Sequence, residues 1–157
     1  MLAIARARLV LGSMVGSALL LAGCASGPPA PASVRASIET ATAVNADRSG
    51  RASPVVIKIY ELKTRTAFDG ADFFSLFERE RDTLGAELLA VEEIQLRPGD
   101  KRGFERTLQP ATRFVGVVAA FRDIDRAQWR AVAAVTPAKR NELKIVLDGM
   151  RATIAGQ

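Results

Sequence analysis

The chain has 157 residues, with 22 Lys and Arg against 17 Asp and Glu, no histidine, one cysteine and a net charge of +5. So mild a charge, with no clustering of basic residues around aromatics, argues against nucleic acid as a ligand. Without histidine the usual proton shuttle and a common metal ligand are missing, and one thiol cannot form an internal disulfide.

In chain order, Arg6 and Arg8 precede an apolar run from Leu9 to Ala22, the layout of a bacterial secretory signal. The run closes as Leu20-Leu21-Ala22-Gly23-Cys24, and Cys24 is the only cysteine. Leu-Ala-Gly-Cys resembles the lipobox of bacterial lipoproteins, in which the thiol is diacylated, the preceding peptide removed and the new amine acylated. An ordinary signal cut elsewhere and a single membrane-spanning helix are the alternatives. A span needs about 20 apolar residues, whereas this run is shorter and carries Gly12, Ser13, Gly16 and Ser17. Lipidation also explains a lone cysteine in an exported protein. The expectation is removal of residues 1–23, a covalent lipid on Cys24 with no other cofactor, and a mature chain of 134 residues. Its charge falls to about +3 with the loss of Arg6 and Arg8. Residues 24–33, rich in Gly, Pro, Ser and Ala, read as the lipidated cysteine and a tether. Ala25, where enterobacterial inner-membrane lipoproteins commonly carry Asp, favours the outer membrane.

Residues 34–157 read as one domain. Val34 to Val44 alternates with period two, as a half-buried strand does. A polar loop follows, Asn45-Ala46-Asp47-Arg48-Ser49-Gly50-Arg51-Ala52-Ser53, longer than a tight hairpin needs. Pro54 opens the second strand, with Val55, Ile57 and Ile59 on one face. A helical insertion is expected at about 68–90: Asp72 is its N-cap, and Phe73, Leu76 and Phe77 share a helical face. The rings of Phe73, Phe74 and Phe77 read as core packing rather than a ligand box. Further strands are expected at Glu93–Leu96, Arg102–Leu108, Arg113–Phe121 and Trp129–Val135, then through Leu143, Ile145 and Leu147, with Met150–Ile154 extending the last past Gly149. The run 113–121 is apolar on both faces, which suits a central strand covered on each side, and Gly116 points to close packing there. Short strands at this spacing argue a β-sandwich interrupted by one helical excursion.

No phosphate-cradling glycine loop or nucleophile elbow occurs. The carboxylate pairs Asp123/Asp125 and Glu92/Glu93 sit in turn or strand-edge contexts and read as solvated or ion-paired surface. The reading is of a protein that is not an enzyme, binds no metal and has no small-molecule substrate.

Four features together resemble one family. They are the lipobox, Ser53-Pro54-Val55-Val56-Ile57-Lys58-Ile59-Tyr60-Glu61-Leu62, Ala71-Asp72-Phe73-Phe74-Ser75-Leu76-Phe77, and Val117-Val118-Ala119-Ala120-Phe121-Arg122-Asp123 leading to Trp129-Arg130. In order and spacing they are similar to the TssJ (VasD-type) lipoproteins of the type VI secretion system. The resemblance implies an all-β, transthyretin-like two-sheet sandwich with a small helical insertion, anchored by lipid on the periplasmic side of the outer membrane. It implies binding to the periplasmic C-terminal region of TssM and, through it, association with TssL. It further implies that the loop between the first two strands, residues 45–53, meets TssM, and Asp47, Arg48 and Arg51 are the residues expected to set register there. Two rival readings are an outer-membrane lipoprotein that binds a small ligand or cell-wall polymer through the sandwich face and the Phe73–Phe77 insertion, and a lipid-anchored enzyme using Asp123 or Glu92.

Overall fold

Alternating apolar residues build two four-stranded sheets in the computed structural model, which describes residues 31–156. The signal, Cys24 and most of the tether lie outside the described residues. The strands are β1 (Ser33–Thr40), β2 (Val55–Leu62), β3 (Leu88–Leu96), β4 (Lys101–Thr107), β5 (Phe114–Ala120), β6 (Arg130–Ala134), β7 (Arg140–Asp148) and β8 (Arg151–Gly156). One sheet has the order β4-β1-β7-β8 and the other β3-β2-β5-β6. Every pairing is antiparallel except β1 with β7, which run parallel. The result is the expected β-sandwich.

Two apolar layers hold it. Between the sheets, Val34, Ala36 and Ile38 of β1 and Leu143, Ile145 and Leu147 of β7 meet Val55, Ile57 and Ile59 of β2 and Val115, Val117 and Ala119 of β5. The opposite face of β2 and β5 is also covered: Tyr60, Leu62 and Val118 lie beneath the helical insertion, against Phe68, Phe73, Leu76 and Leu84. That second layer is why residues 113–121 are apolar on both faces.

The insertion consists of α1 (Thr66–Gly70), α2 (Phe73–Glu78) and α3 (Glu80–Leu84), then a 3-10 turn over Gly85–Glu87. The excursion thus spans 66–87, and Leu88–Ala90 already belong to β3, where Leu88 pairs with Leu62 across a bulge. Helices this short are marginal alone, so side chains from the sheet pin them. Tyr60 Oη donates to Leu76 O at 2.9 Å, and the Arg130 guanidinium donates to Phe68 O at 2.7 Å and Ala71 O at 3.0 Å. Lys58 Nζ pairs with Glu80 at 3.2 Å and lies 4.9 Å from the centre of the Phe77 ring.

Phe68 rests directly on β5. A Cβ added at Gly116 would stand 2.7 Å from Phe68 Cζ, so only glycine lets the ring lie flat on the strand. We expect Gly116→Ala to displace Phe68 and lower stability by about 1–3 kcal/mol, the usual cost of overpacking. Urea unfolding followed by near-UV circular dichroism measures it, and an unchanged midpoint would refute the contact.

Besides the earlier start of β3, two strand ends differ from expectation, each for a local reason. β1 ends at Thr40, because Ala41–Val44 turn back, with Val44 N–H donating to Ala41 O at 3.2 Å. Met150–Ile154 do not prolong β7: Gly149, at φ +56°, starts a two-residue hairpin turn that reverses the chain into β8.

Candidate functional site

The parallel pairing of β1 and β7 sends both strands toward one end of the sandwich, where the β1–β2, β5–β6 and β7–β8 connections meet. These connections and the start of α2 enclose an open cleft of about 1080 Å³. Its lining includes Ala46, Asp47, Arg48 and Ser49 of the first loop, Arg122 to Arg126 of the second, Gly149 and Met150, and Phe74.

The β1–β2 loop is held in shape by its own side chains. Asp47 Oδ1 accepts from the backbone N–H of Ser49 at 2.9 Å and of Arg51 at 3.0 Å, and Arg51 Nε donates to Asp47 Oδ2 at 3.2 Å. Asp47 N–H returns a bond to Arg51 O at 2.9 Å, and Gly50 sits in the turn at φ +77°. This is an Asx-type closure, in which the carboxylate substitutes for turn partners. The Arg51 N–H foremost, then Ser49 N–H, the Arg51 side chain and Arg122, holds the Asp47 carboxyl below its ordinary range, against the opposing effect of desolvation.

Asn45 fastens that loop to its neighbours. It is 3% exposed, its Nδ2 donates to Pro54 O at 2.8 Å, and its Oδ1 accepts from Arg122 N–H at 2.8 Å. Its backbone N–H donates to Gly149 O at 2.7 Å. One residue thereby joins all three connections at the cleft. Its φ of +51° lies in the left-handed region, which asparagine tolerates better than most residues.

Of the nine loop residues expected to meet a partner, Asn45 and Ser53 are buried and act as supports, whereas Ala46, Asp47 and Ala52 are half-buried. Arg48, Ser49, Gly50 and Arg51 are exposed. Asp47 is already occupied inside the loop, and Arg51 is its ion-pair partner at 3.1 Å. Arg48 makes no ion pair among the described residues.

Sequence reasoning missed two residues of this surface. Arg122 reaches the cleft from a loop 77 positions after Asn45. Phe74 is the one large apolar side chain exposed among the described residues, at 57%. Of the three clustered phenylalanines, Phe73 stacks on Phe77 at 5.2 Å and meets Trp129 edge-on at 5.5 Å, whereas Phe74 points outward. Its outward placement was readable from helical phase, since it lies off the Phe73–Leu76–Phe77 face.

The carboxylates held open for catalysis are not gathered together. Asp123 and Asp125 border the cleft, with Asp123 3.6 Å from Arg126, while Glu92 pairs with Arg106 elsewhere and does not line it. Of the rings in the rival ligand-site reading, Phe73 and Phe77 are taken up in packing, stacked on each other with Phe73 edge-on to Trp129.

Fixed loops, a charged rim and one exposed ring thus meet at one end of the sandwich. Residues 32–150 match the family model described as type VI secretion lipoprotein, VasD, EvfM, TssJ. The chain therefore belongs to the TssJ family of type VI secretion lipoproteins. Its structure is similar to that of the type VI lipoprotein TssJ1 from Pseudomonas aeruginosa, with 40% identity and a TM-score of 0.78 over 81% of this chain and 97% of that one. It is also similar to a chain of a type VI membrane complex, at 28% identity and a TM-score of 0.67 over 78% of this chain and 97% of that one. A third similarity is to a chain in a structure described as the TssM C-terminal domain (869–1107) from EAEC, at 27% identity and a TM-score of 0.65 with the same coverage. No curated protein of known function matches the chain.

Proposed function

We propose that this protein is the outer-membrane tether of a type VI secretion membrane complex, acylated at Cys24 and binding the periplasmic C-terminal region of TssM through the β1–β2 loop and, through TssM, joined to TssL. Its activity on this reading is attachment, with no bond made or broken. The single observation that carries it is the placement of the loop. The tether joins at Ser33, and β1 then runs eight residues away from it, about 25 Å at the usual strand rise, before the loop begins. A tether joining at one pole and a rigid loop at the other is the geometry of a bridge between a membrane and a partner.

Two further points support the reading. The loop is closed by Asp47 and bolted by Asn45, so little ordering cost attends binding. The chain that matches in the TssM structure is 97% covered by 78% of this one, so it is shorter than this chain and too short to be the 869–1107 segment itself. A TssJ-like chain beside that segment is the association proposed here.

The test is a calorimetric titration of the acylated chain, in detergent, with the TssM C-terminal region. Replacing residues 46–52 with a short Gly-Ser link, while keeping Asn45 and Ser53, is expected to weaken binding at least tenfold. Undiminished binding would remove the loop from the interface. Failure of the intact, folded protein to bind would remove the tether reading altogether.

A further inference from the structure

The helical insertion leaves one feature that packing does not use. Phe74 stands exposed at the start of α2 and lines the cleft together with Arg48 and Ser49. Its base is rigid: Asp72 caps the helix, with Oδ1 accepting from Ser75 N–H at 2.9 Å and Oδ2 from Ser75 Oγ at 2.7 Å. Phe73, one residue earlier, is 8% exposed and lies edge-on to the Phe74 ring at 5.3 Å. A ring held this way loses little freedom on binding, and aromatic side chains with few rotors are the usual anchors of protein interfaces.

The charges around it are not symmetrical in their availability. Asp47 is occupied by Ser49 and Arg51, and Asp123 faces Arg126 at 3.6 Å. Arg48 and Arg122 make no ion pair among the described residues, and Asp125 is the single carboxylate of the lining in the same position. Two guanidinium groups without an ion pair, one of them (Arg122) close enough to Asp47 to lower its carboxyl, therefore share the cleft lining with the exposed ring, beside the loop proposed to meet the partner.

We propose that Phe74 is the apolar anchor of the partner interface, entering an apolar socket on the TssM C-terminal region whose rim carries carboxylates facing Arg48 and Arg122. The inference rests on the tether reading and adds a second contact to it, delivered by the insertion rather than by the β1–β2 loop. It also gives the insertion a role: its helices carry a ring from the covered face of the sheet to the cleft. The lipid surface is the less favoured occupant, because the tether joins at the opposite pole of β1.

The experiment compares wild type, Phe74→Ala, Phe74→Leu and the loop 46–52 replacement for binding to the TssM C-terminal region. Phe74 is exposed, so thermal unfolding midpoints of its variants should match the wild type. Phe74→Ala is expected to bind at least tenfold more weakly, with Phe74→Leu intermediate. Adding Arg48→Ala and Arg122→Ala to the wild type should flatten the dependence of binding on salt. If Phe74→Ala binds like the wild type while the loop replacement abolishes binding, the anchor is refuted and the tether reading stands. If the wild type itself does not bind, the tether reading fails first. A Phe74→Ala effect confined to sedimentation of the protein alone, or to its flotation with phosphatidylethanolamine–phosphatidylglycerol vesicles, would overturn the proposal in favour of self-association or lipid contact.

Discussion

Asn45→Ala should lower the stability of the domain by about 3 kcal/mol and weaken partner binding in the same step. The substitution leaves the Arg122 N–H and the Pro54 carbonyl without their partner, and each such part-buried group costs about 1 kcal/mol. The cleft admits water, which keeps each loss toward the low end. Alanine must also hold a φ of +51°, a conformation that asparagine tolerates better by up to about 1 kcal/mol. Asn45→Gly separates the two contributions, since glycine accepts that backbone freely and should recover about 1 kcal/mol relative to alanine. Guanidinium unfolding of the three proteins, followed by titration with the TssM C-terminal region, reads both effects. Equal stability of Asn45→Ala and wild type would show that the bonds to Pro54 and Arg122 do not hold the connections together.

Asn45 also marks the limit of what the sequence disclosed. A loop of nine residues between two alternating strands stood out by length alone, and its Asn, Asp, Ser and Gly content announced turns. Which of those residues face outward depends on groups far along the chain: Pro54, Arg122 and Gly149 draw Asn45 inward, and no local pattern reports that. Strand periodicity carried most of the fold for a simple reason: burial on one or both faces imprints itself on alternate positions, as in β1 and β5. It was misread at one turn. Leu143, Ile145 and Leu147 fall on odd positions but Met150, Ala152 and Ile154 on even ones, a one-residue slip in phase at Gly149 that marks the reversal. The start of β3 gave no such signal. Leu88, Leu89 and Ala90 are all partly covered, so they show no alternation and read as the tail of a helix. The cleft itself joins side chains from positions 46–49, 74, 122–126 and 149–150, a grouping created by topology alone.

Cys24→Ser is expected to release the protein from the membrane fraction while leaving the domain folded and its affinity for the TssM C-terminal region unchanged. A hydroxyl is a far poorer nucleophile than a thiolate, so the first acyl transfer does not occur. Each buried CH₂ of an acyl chain contributes about 0.8 kcal/mol, and more than one chain is needed for stable anchoring. Among the described residues no helix is long and apolar enough to cross a membrane. Unchanged affinity follows from the poles of the sandwich: the tether joins before Ser33, and the cleft opens beyond Thr40 at the far end of β1. Secretion should nonetheless collapse. Anchoring keeps the domain beside its partner at high effective concentration, and a freely diffusing copy can occupy the TssM surface without linking it to a membrane. Membrane fractionation, palmitate labelling and a solution titration of the same variant separate these outcomes. Label retained on Cys24→Ser would move the anchor to another residue, and affinity lost with the label would mean that the acylated end itself takes part in the interface.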